Sequence, residues 1–174
     1  MPVHRDLAYD EWEERLARQW IGAMNAINVA LYDISDGRVA GAIPSGLPLL
    51  LLTTTGRVTG RARTVTVVYL ARDDGYYVVA SNGGLSRHPA WFANALADPR
   101  VLVQVGAEEF GCTAEALADA EAADVIAELA QGYRAFDEYG DRAGSADRRI
   151  PVLRLVPMAA PVVAPAPQAG RASM

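Results

Sequence analysis

The chain contains no lysine: all sixteen of its basic residues, among 174, are arginine. Base composition of the coding sequence accounts for that bias first, although the guanidinium fork also suits bidentate contact with phosphate. A single cysteine, Cys112, excludes an intramolecular disulfide and fits a reducing compartment. Two histidines far apart, His4 and His88, give no metal-ligand spacing, so no metal is expected. The N-terminus lacks a basic-then-apolar signal pattern. The apolar run Leu47 to Leu52, broken by Pro48, falls far short of the ~20 residues a membrane-spanning helix needs. A cytoplasmic protein is expected, with membrane contact at most peripheral. A formal net charge of −5 offers no global positive field for nucleic acid. No fixed period repeats, which excludes a solenoid. Ser45, Ser81 and Ser86 lack a nucleophile elbow, so hydrolytic catalysis has little support.

What is present is apolar matter enough, 51% of residues, for one substantial core. Residues Tyr9, Trp12, Leu16, Trp20, Met24, Ile27 and Leu31 recur every three or four positions and predict a long N-terminal helix over about 1–35, capped by Asp6. Its apolar stripe is read as docking on the domain, with peripheral membrane contact or pairing of two copies as the other uses of such a face. The Gly-rich segment Asp36 to Gly46 is a connector. The run Leu49-Leu50-Leu51-Leu52-Thr53-Thr54-Thr55 reads as a buried strand, followed by strands over Arg63 to Leu70 and Tyr76 to Ser81 around the Asp73-Asp74-Gly75 turn. A short helix over Pro89 to Leu96, a hairpin of Val101 to Val105 and Phe110 to Ala116, a helical stretch over Glu121 to Tyr139 and a strand over Ile150 to Val156 complete the domain, 36–157. The Ala/Pro-rich tail, 158–174, has too little to bury and is expected to be disordered. Hairpin-connected strands flanked by helices suggest an α+β fold built on a small antiparallel barrel.

Three segments concentrate residues that could carry chemistry. The turn Gly56-Arg57-Val58-Thr59-Gly60-Arg61-Ala62-Arg63 offers glycines, hydroxyls and three arginines, either a cradle for an anion or a solvated hairpin with ordinary surface charge. It lacks the Gly-Lys-Ser/Thr ending of a nucleotide-hydrolase phosphate loop. The stretch Ser81 to Asn94 joins a strand end to a helix start, and its backbone donors and the amides of Asn82 and Asn94 can meet a polar heterocycle or simply cap the helix. His88, beside Pro89, reads as a capping or surface residue rather than a base. Tyr133, Phe136 and Tyr139, three apart along one helical side, are core aromatics or the wall of a pocket whose phenols donate to a carbonyl or nitro oxygen.

The string Pro48 to Arg57, continuing through Gly60 and Arg63, resembles the opening signature of the deazaflavin-dependent nitroreductase and F420H2-dependent quinone reductase family. Ala80-Ser81, His88-Pro89-Ala90-Trp91 to Asn94, Asp98-Pro99, Val103-Gln104-Val105 and Tyr139 to Ile150-Pro151-Val152 resemble it in the same order, from the first helix to Pro157. The resemblance implies a split β-barrel that uses coenzyme F420. Matched position by position, it implies that Arg57, Val58, Thr59, Gly60 and Arg63 meet the cofactor's phosphate and acidic tail. It places Thr64, Val67 and Val68 beside the ring, and has Ser81, Asn82, Gly83, Ala90, Trp91 and Asn94 complete the ring pocket. Tyr133, Phe136 and Tyr139, with Ser81, fall on the substrate side, and Tyr133, Tyr139 and Ser81 are the implied hydrogen-bond donors in catalysis. Val58 and Asn82 stand where the family commonly has lysine, and Arg61 is a candidate to restore one charge.

The function so implied is hydride transfer from reduced F420 to an electron-poor small molecule: a quinone, an enone or a nitro compound. A flavin mononucleotide (FMN) enzyme on the same barrel is one alternative, and a non-enzymatic carrier of a deazaflavin or metabolite is another. A homodimer is compatible with barrels of this kind.

Overall fold

The computed structural model describes residues 9–145 and 148–158, so the predicted tail lies, apart from Met158, outside the described residues. Element order is α1 (Glu11–Ser35), β1 (Leu49–Thr55), β2 (Ala62–Arg72), β3 (Gly75–Val79), a 3-10 turn (Asn82–Gly84), α2 (Ala90–Ala97), β4 (Arg100–Val105), β5 (Glu108–Ala116), α3 (Asp119–Gly132), α4 (Ala135–Ser145) and β6 (Val152–Pro157). The strands close into a barrel in the order β1-β2-β3-β6-β5-β4, every pairing antiparallel. Closure through the β1–β4 pairing leaves no strand at the end of the sheet, although part of β2 keeps one edge without a strand beside it. The architecture is α+β with a barrel core.

The leucine run of β1 is continuous because both of its faces are covered. Leu50 and Leu52 point into the barrel with Val78, Val103, Leu153 and Leu155, and α2 adds Trp91, Phe92 and Ala95 to the same cluster. Leu49 and Leu51 face outward and are covered by Tyr32 and Val29 of α1. A third cluster joins Tyr77, Val79 and Val152 to Val125, Leu129 and Phe136 of the α3–α4 pair. Cys112 is buried in the barrel, and burial pushes its thiol up to about 11, so it is a packing residue rather than a thiolate.

The barrel is split because β2 changes partner midway. Ala62 to Val68 pair with β1, whereas Tyr69 to Arg72 pair with β3. The outer edge of the first half of β2 therefore has no strand beside it, and α1 supplies the missing partner. Asn25 accepts from the Thr66 N–H at 2.9 Å and donates to the Thr64 carbonyl at 3.4 Å.

Two expectations for α1 need correction. The N-cap is Asp10, not Asp6, which lies outside the described residues. Asp10 accepts from the N–H groups of Trp12 and Glu13, while Glu13 accepts from the Asp10 N–H, a reciprocal capping box. The predicted apolar stripe is also not the docking face: Trp12, Leu16, Trp20 and Ile27 are 60%, 54%, 69% and 52% exposed. The helix meets the barrel through Asn25, Val29 and Tyr32, because the unpaired β2 edge needs an amide opposite it. The expected long helix up to Tyr139 is likewise two helices, α3 and α4, with Tyr133 in extended conformation between them.

Tyr32 locks α1 to the hairpin of β4 and β5. Its side chain is 1% exposed, and its hydroxyl accepts from the Gly106 N–H at 2.8 Å. Its ring lies against Gly37, where a Cβ would come within 2.9 Å of it. Tyr32→Phe should cost about 1 kcal/mol through the unsatisfied Gly106 N–H, and Tyr32→Ala about 3–5 kcal/mol, measured by urea denaturation.

Candidate functional site

The split in the barrel opens into a cleft of about 1010 Å³ between α1, the first half of β2, the β1–β2 turn, the segment from Ser81 to Asn94 and the aromatic end of α3–α4. Of the sequence-predicted residues, Arg57, Val58, Thr59, Arg63, Thr64, Val67 and Val68 line it on one side. Ser81, Asn82, Gly83, Ala90, Trp91 and Asn94 line a second side, and Tyr133, Phe136 and Tyr139 a third. Gly60 does not line it; at φ +67 it shapes the turn that presents its neighbours.

That turn is tied down rather than loose. The Gly56 N–H donates to the Arg61 carbonyl at 2.8 Å and the Gly60 N–H to the Gly56 carbonyl at 2.7 Å. The buried Asn94 accepts from the Arg57 N–H at 3.1 Å and donates to Thr54 Oγ1 at 3.2 Å, so α2 fixes where the turn begins. Asn94 is thus chiefly a support for Arg57. Arg57 and Arg63 reach solvent at the lip, and neither has a carboxylate partner within 4 Å among the described residues.

The segment after β3 is pinned from three sides. Asn82 donates to the Arg87 carbonyl at 2.9 Å, and Glu14 of α1 accepts from the Ser86 N–H at 2.6 Å; hydrogen bonding to the Ser86 side chain first, and to its N–H after it, lowers the Glu14 carboxyl below its ordinary range. Arg148, only 7% exposed, donates to the carbonyls of Ala80 and Ser81 and to His88 Nδ1. Arg87 and His88 are thereby brought to the cleft, where Arg18 and Asn25 of α1 join them. Asn82, in the place of a lysine, thus contributes indirectly by holding the backbone of Arg87. Val58 is 83% exposed, and Arg61 does not line the cleft, so the added positive charge comes from Arg87 and Arg18 instead.

On the third side Tyr133, Phe136 and Tyr139 pack edge to face, with ring centroids 5.8 to 6.5 Å apart. Phe136 is 4% exposed and belongs to the core, while all three rings also line the cleft. Burial, then the hydrogen bond with Tyr133, pushes the Tyr139 phenol up, which keeps it protonated as a donor. Helix α4 comes this close because residue 84 is glycine: a Cβ there would lie 3.2 Å from the Tyr139 backbone, at φ +76. Arg148, Arg87, Asn25 and Glu14 were not among the residues singled out from the sequence. The first lies two residues before the recognised Ile150-Pro151-Val152 segment, but its burial has no sequence signal.

A closed antiparallel split barrel with an arginine-lipped cleft and an aromatic wall is the class of fold and site this chain presents. Within that class, the chain belongs to the F420H(2)-dependent quinone reductase family, whose model matches residues 24–157. A Mycobacterium tuberculosis protein named F420H(2)-dependent quinone reductase is 43% identical over 86 residues, 49% of this chain. The chain spans 58% of the length of that relative. The solved structure of an F420-H2 dependent reductase, FDR-A, aligns with TM-score 0.54 at 34% identity, covering 62% of this chain and 93% of that one. A second solved structure, described only as a domain-swapped dimer, aligns with TM-score 0.57 at 29% identity, covering 79% of this chain and 98% of that one. Among the described residues no helix is long and apolar enough to cross a membrane, and no cluster of three or more His, Cys, Asp or Glu is placed to hold a metal ion.

Asn94→Ala removes the partner of both Arg57 N–H and Thr54. It should destabilise the protein by about 1–3 kcal/mol in thermal denaturation, because two partly or wholly buried polar groups lose their bonds.

Proposed function

We propose that the protein is a reductase that takes hydride from reduced F420 and delivers it to a quinone or a similarly electron-poor enone or nitro compound. One observation carries the reading: the cleft has arginines without carboxylate partners on one side and the phenols of Tyr133 and Tyr139 on another, that of Tyr139 held protonated by burial, with an apolar β2 wall between. The residues fit the cofactor. An anionic tail matches Arg57, Arg63 and Arg87, and a flat ring matches the space between Val67, Val68 and Trp91. When bound, F420H2 supplies the hydride. The protein's own part is to orient ring and substrate, limit water around them, and place donors where negative charge grows on substrate oxygen. Tyr139 and Tyr133 are the donors closest to that task, with Ser81 a third at the end of β3. A small-molecule substrate, a cytoplasmic location and a homodimer belong to the same proposal, the last supported by the dimeric relative.

Titration of the purified chain with F420 and with FMN, followed by tryptophan fluorescence, should show saturable binding of F420 and weaker binding of FMN, whose tail carries less charge. Arg57→Ala and Arg87→Ala should each weaken F420 binding by about tenfold or more, the value of one charge-assisted hydrogen bond. Absence of F420 binding overturns the proposal, and tighter binding of FMN transfers the site to the flavin alternative.

In turnover with F420H2 and a quinone, the double variant Tyr133→Phe with Tyr139→Phe should lose about 10–1000-fold in kcat, as expected for donors aimed at developing charge. Wild-type turnover in that variant removes both tyrosines from the mechanism. Binding of F420 with no turnover of any quinone, enone or nitro substrate points to the carrier reading.

A further inference from the structure

We infer that Arg148 is a positioning residue that fixes His88 in its neutral Nε2–H form, and so gives the cleft a hydrogen-bond donor for an oxygen of the bound ring or substrate. Three observations converge on it. The Arg148 guanidinium is 7% exposed and has no carboxylate partner among the described residues. Two of its bonds go to the Ala80 and Ser81 carbonyls, and it lies 3.0 Å from His88 Nδ1. His88 lines the cleft, its ring stacked obliquely on Phe92 with centroids 5.2 Å apart.

The tautomer follows from donor counting. A guanidinium carries N–H donors and no acceptor, so an Arg148 N–H at hydrogen-bond distance from Nδ1 requires the Nδ1 lone pair. The ring proton is then on Nε2, for which no protein partner is found among the described residues. Protonation of His88 would turn Nδ1 into a donor facing another donor and set two cations 3.0 Å apart.

The charged groups around the pair oppose protonation on balance. Arg148 packs on one side, Arg87 adjoins His88 in the chain, and Phe92 of α2 gives an apolar face. The single nearby carboxylate of α1, Glu14, is engaged by the Ser86 N–H and lies 3.6 Å from Arg18. His88 as a whole residue is exposed, but the desolvation of the part of its ring beside Arg148 first, and the Arg148 charge second, hold the imidazole below its ordinary 6.5. His88 is therefore a hydrogen-bond donor that persists through neutral pH, not an acid or a base. The tautomer rests on this geometry alone, whereas its use on a ring or substrate oxygen rests on the reductase reading.

With only two histidines in the chain, the test is direct. Long-range ¹H–¹⁵N spectra of the ¹⁵N-labelled full chain, with His88→Gln used for assignment, should show His88 as the neutral Nε2–H tautomer at pH 7 with a midpoint below 6.5. In Arg148→Met the ring should become a mixture of tautomers with a higher midpoint, and Arg148→Lys should restore part of the bias. A wild-type ring that carries its proton on Nδ1, or is charged at pH 7, overturns the inference without any variant. So does an Arg148→Met protein that folds and leaves the tautomer unchanged. For the use of the donor, kcat/KM with F420H2 and a quinone should fall about tenfold in His88→Phe and less in His88→Gln, whose amide can still donate. Equal values for wild type and His88→Phe overturn that use. Failure of F420 to bind wild type overturns the reductase reading and leaves the spectral result standing.

Discussion

Everything in this molecule depends on one strand having to serve two partners in turn. β2 is held by β1 as far as Val68 and by β3 from Tyr69 onward, so half of one edge faces no strand. Backbone N–H and C=O groups left in that position must find partners elsewhere or be paid for in stability. Asn25 meets that need at Thr64 and Thr66, and in doing so it lays α1 across the mouth of the split. The cleft is what remains between the helix and the strand. Position of the helix, shape of the cavity and exposure of the β2 surface are thus one consequence of a change in pairing.

The electrostatics of the site run against those of the chain. A protein with net charge −5 gathers Arg18, Arg57, Arg63 and Arg87 around a single opening. Arginine can do this because its charge survives desolvation and its fork can engage backbone carbonyls as well as anions. Arg148 shows the same property from the inside. It is buried with no carboxylate within 4 Å among the described residues, and burial pulls its guanidinium below the ordinary range, with partial relief from the Glu14 charge. A lone buried cation is costly, which makes it informative: the carbonyls of Ala80 and Ser81 and the ring of His88 absorb it. The same arginine therefore ends β3, orients the following loop and sets the protonation of a residue on the cleft wall.

The aromatic side of the site comes from packing at close range. Gly84 lets α4 approach the turn that follows β3, and the break at Tyr133 lets its ring turn back onto Phe136 and Tyr139. A continuous helix would have left the three rings in a line along one face. The break makes them a cluster, with Phe136 anchored in the core and two phenols toward the cleft. The exposed Trp12, Leu16, Trp20 and Ile27 of α1 remain an apolar face to which no element of the described chain is applied.

Much of this was legible in order along the chain. Leucine content and β-branching marked β1 and β2, Asp-Asp-Gly marked their following turn, and glycines with hydroxyls and arginines marked the arginine-bearing lip of the cleft. These are local signals, decided by backbone preference and side-chain chemistry over a few residues. The face of α1 that docks was not legible, because the stripe with the greater apolar content lost to one asparagine that answers an unpaired strand edge. Neither was the burial of Arg148, nor the choice of Arg87 over Arg61 to line the cleft. The sequence by itself determined the strands, the turns and the glycine, hydroxyl and guanidinium chemistry gathered at the lip. Only the tertiary structure decided which helix face turns inward, which arginines meet in space and which imidazole nitrogen carries the proton, since each depends on partners distant in the chain that folding brings within hydrogen-bond reach.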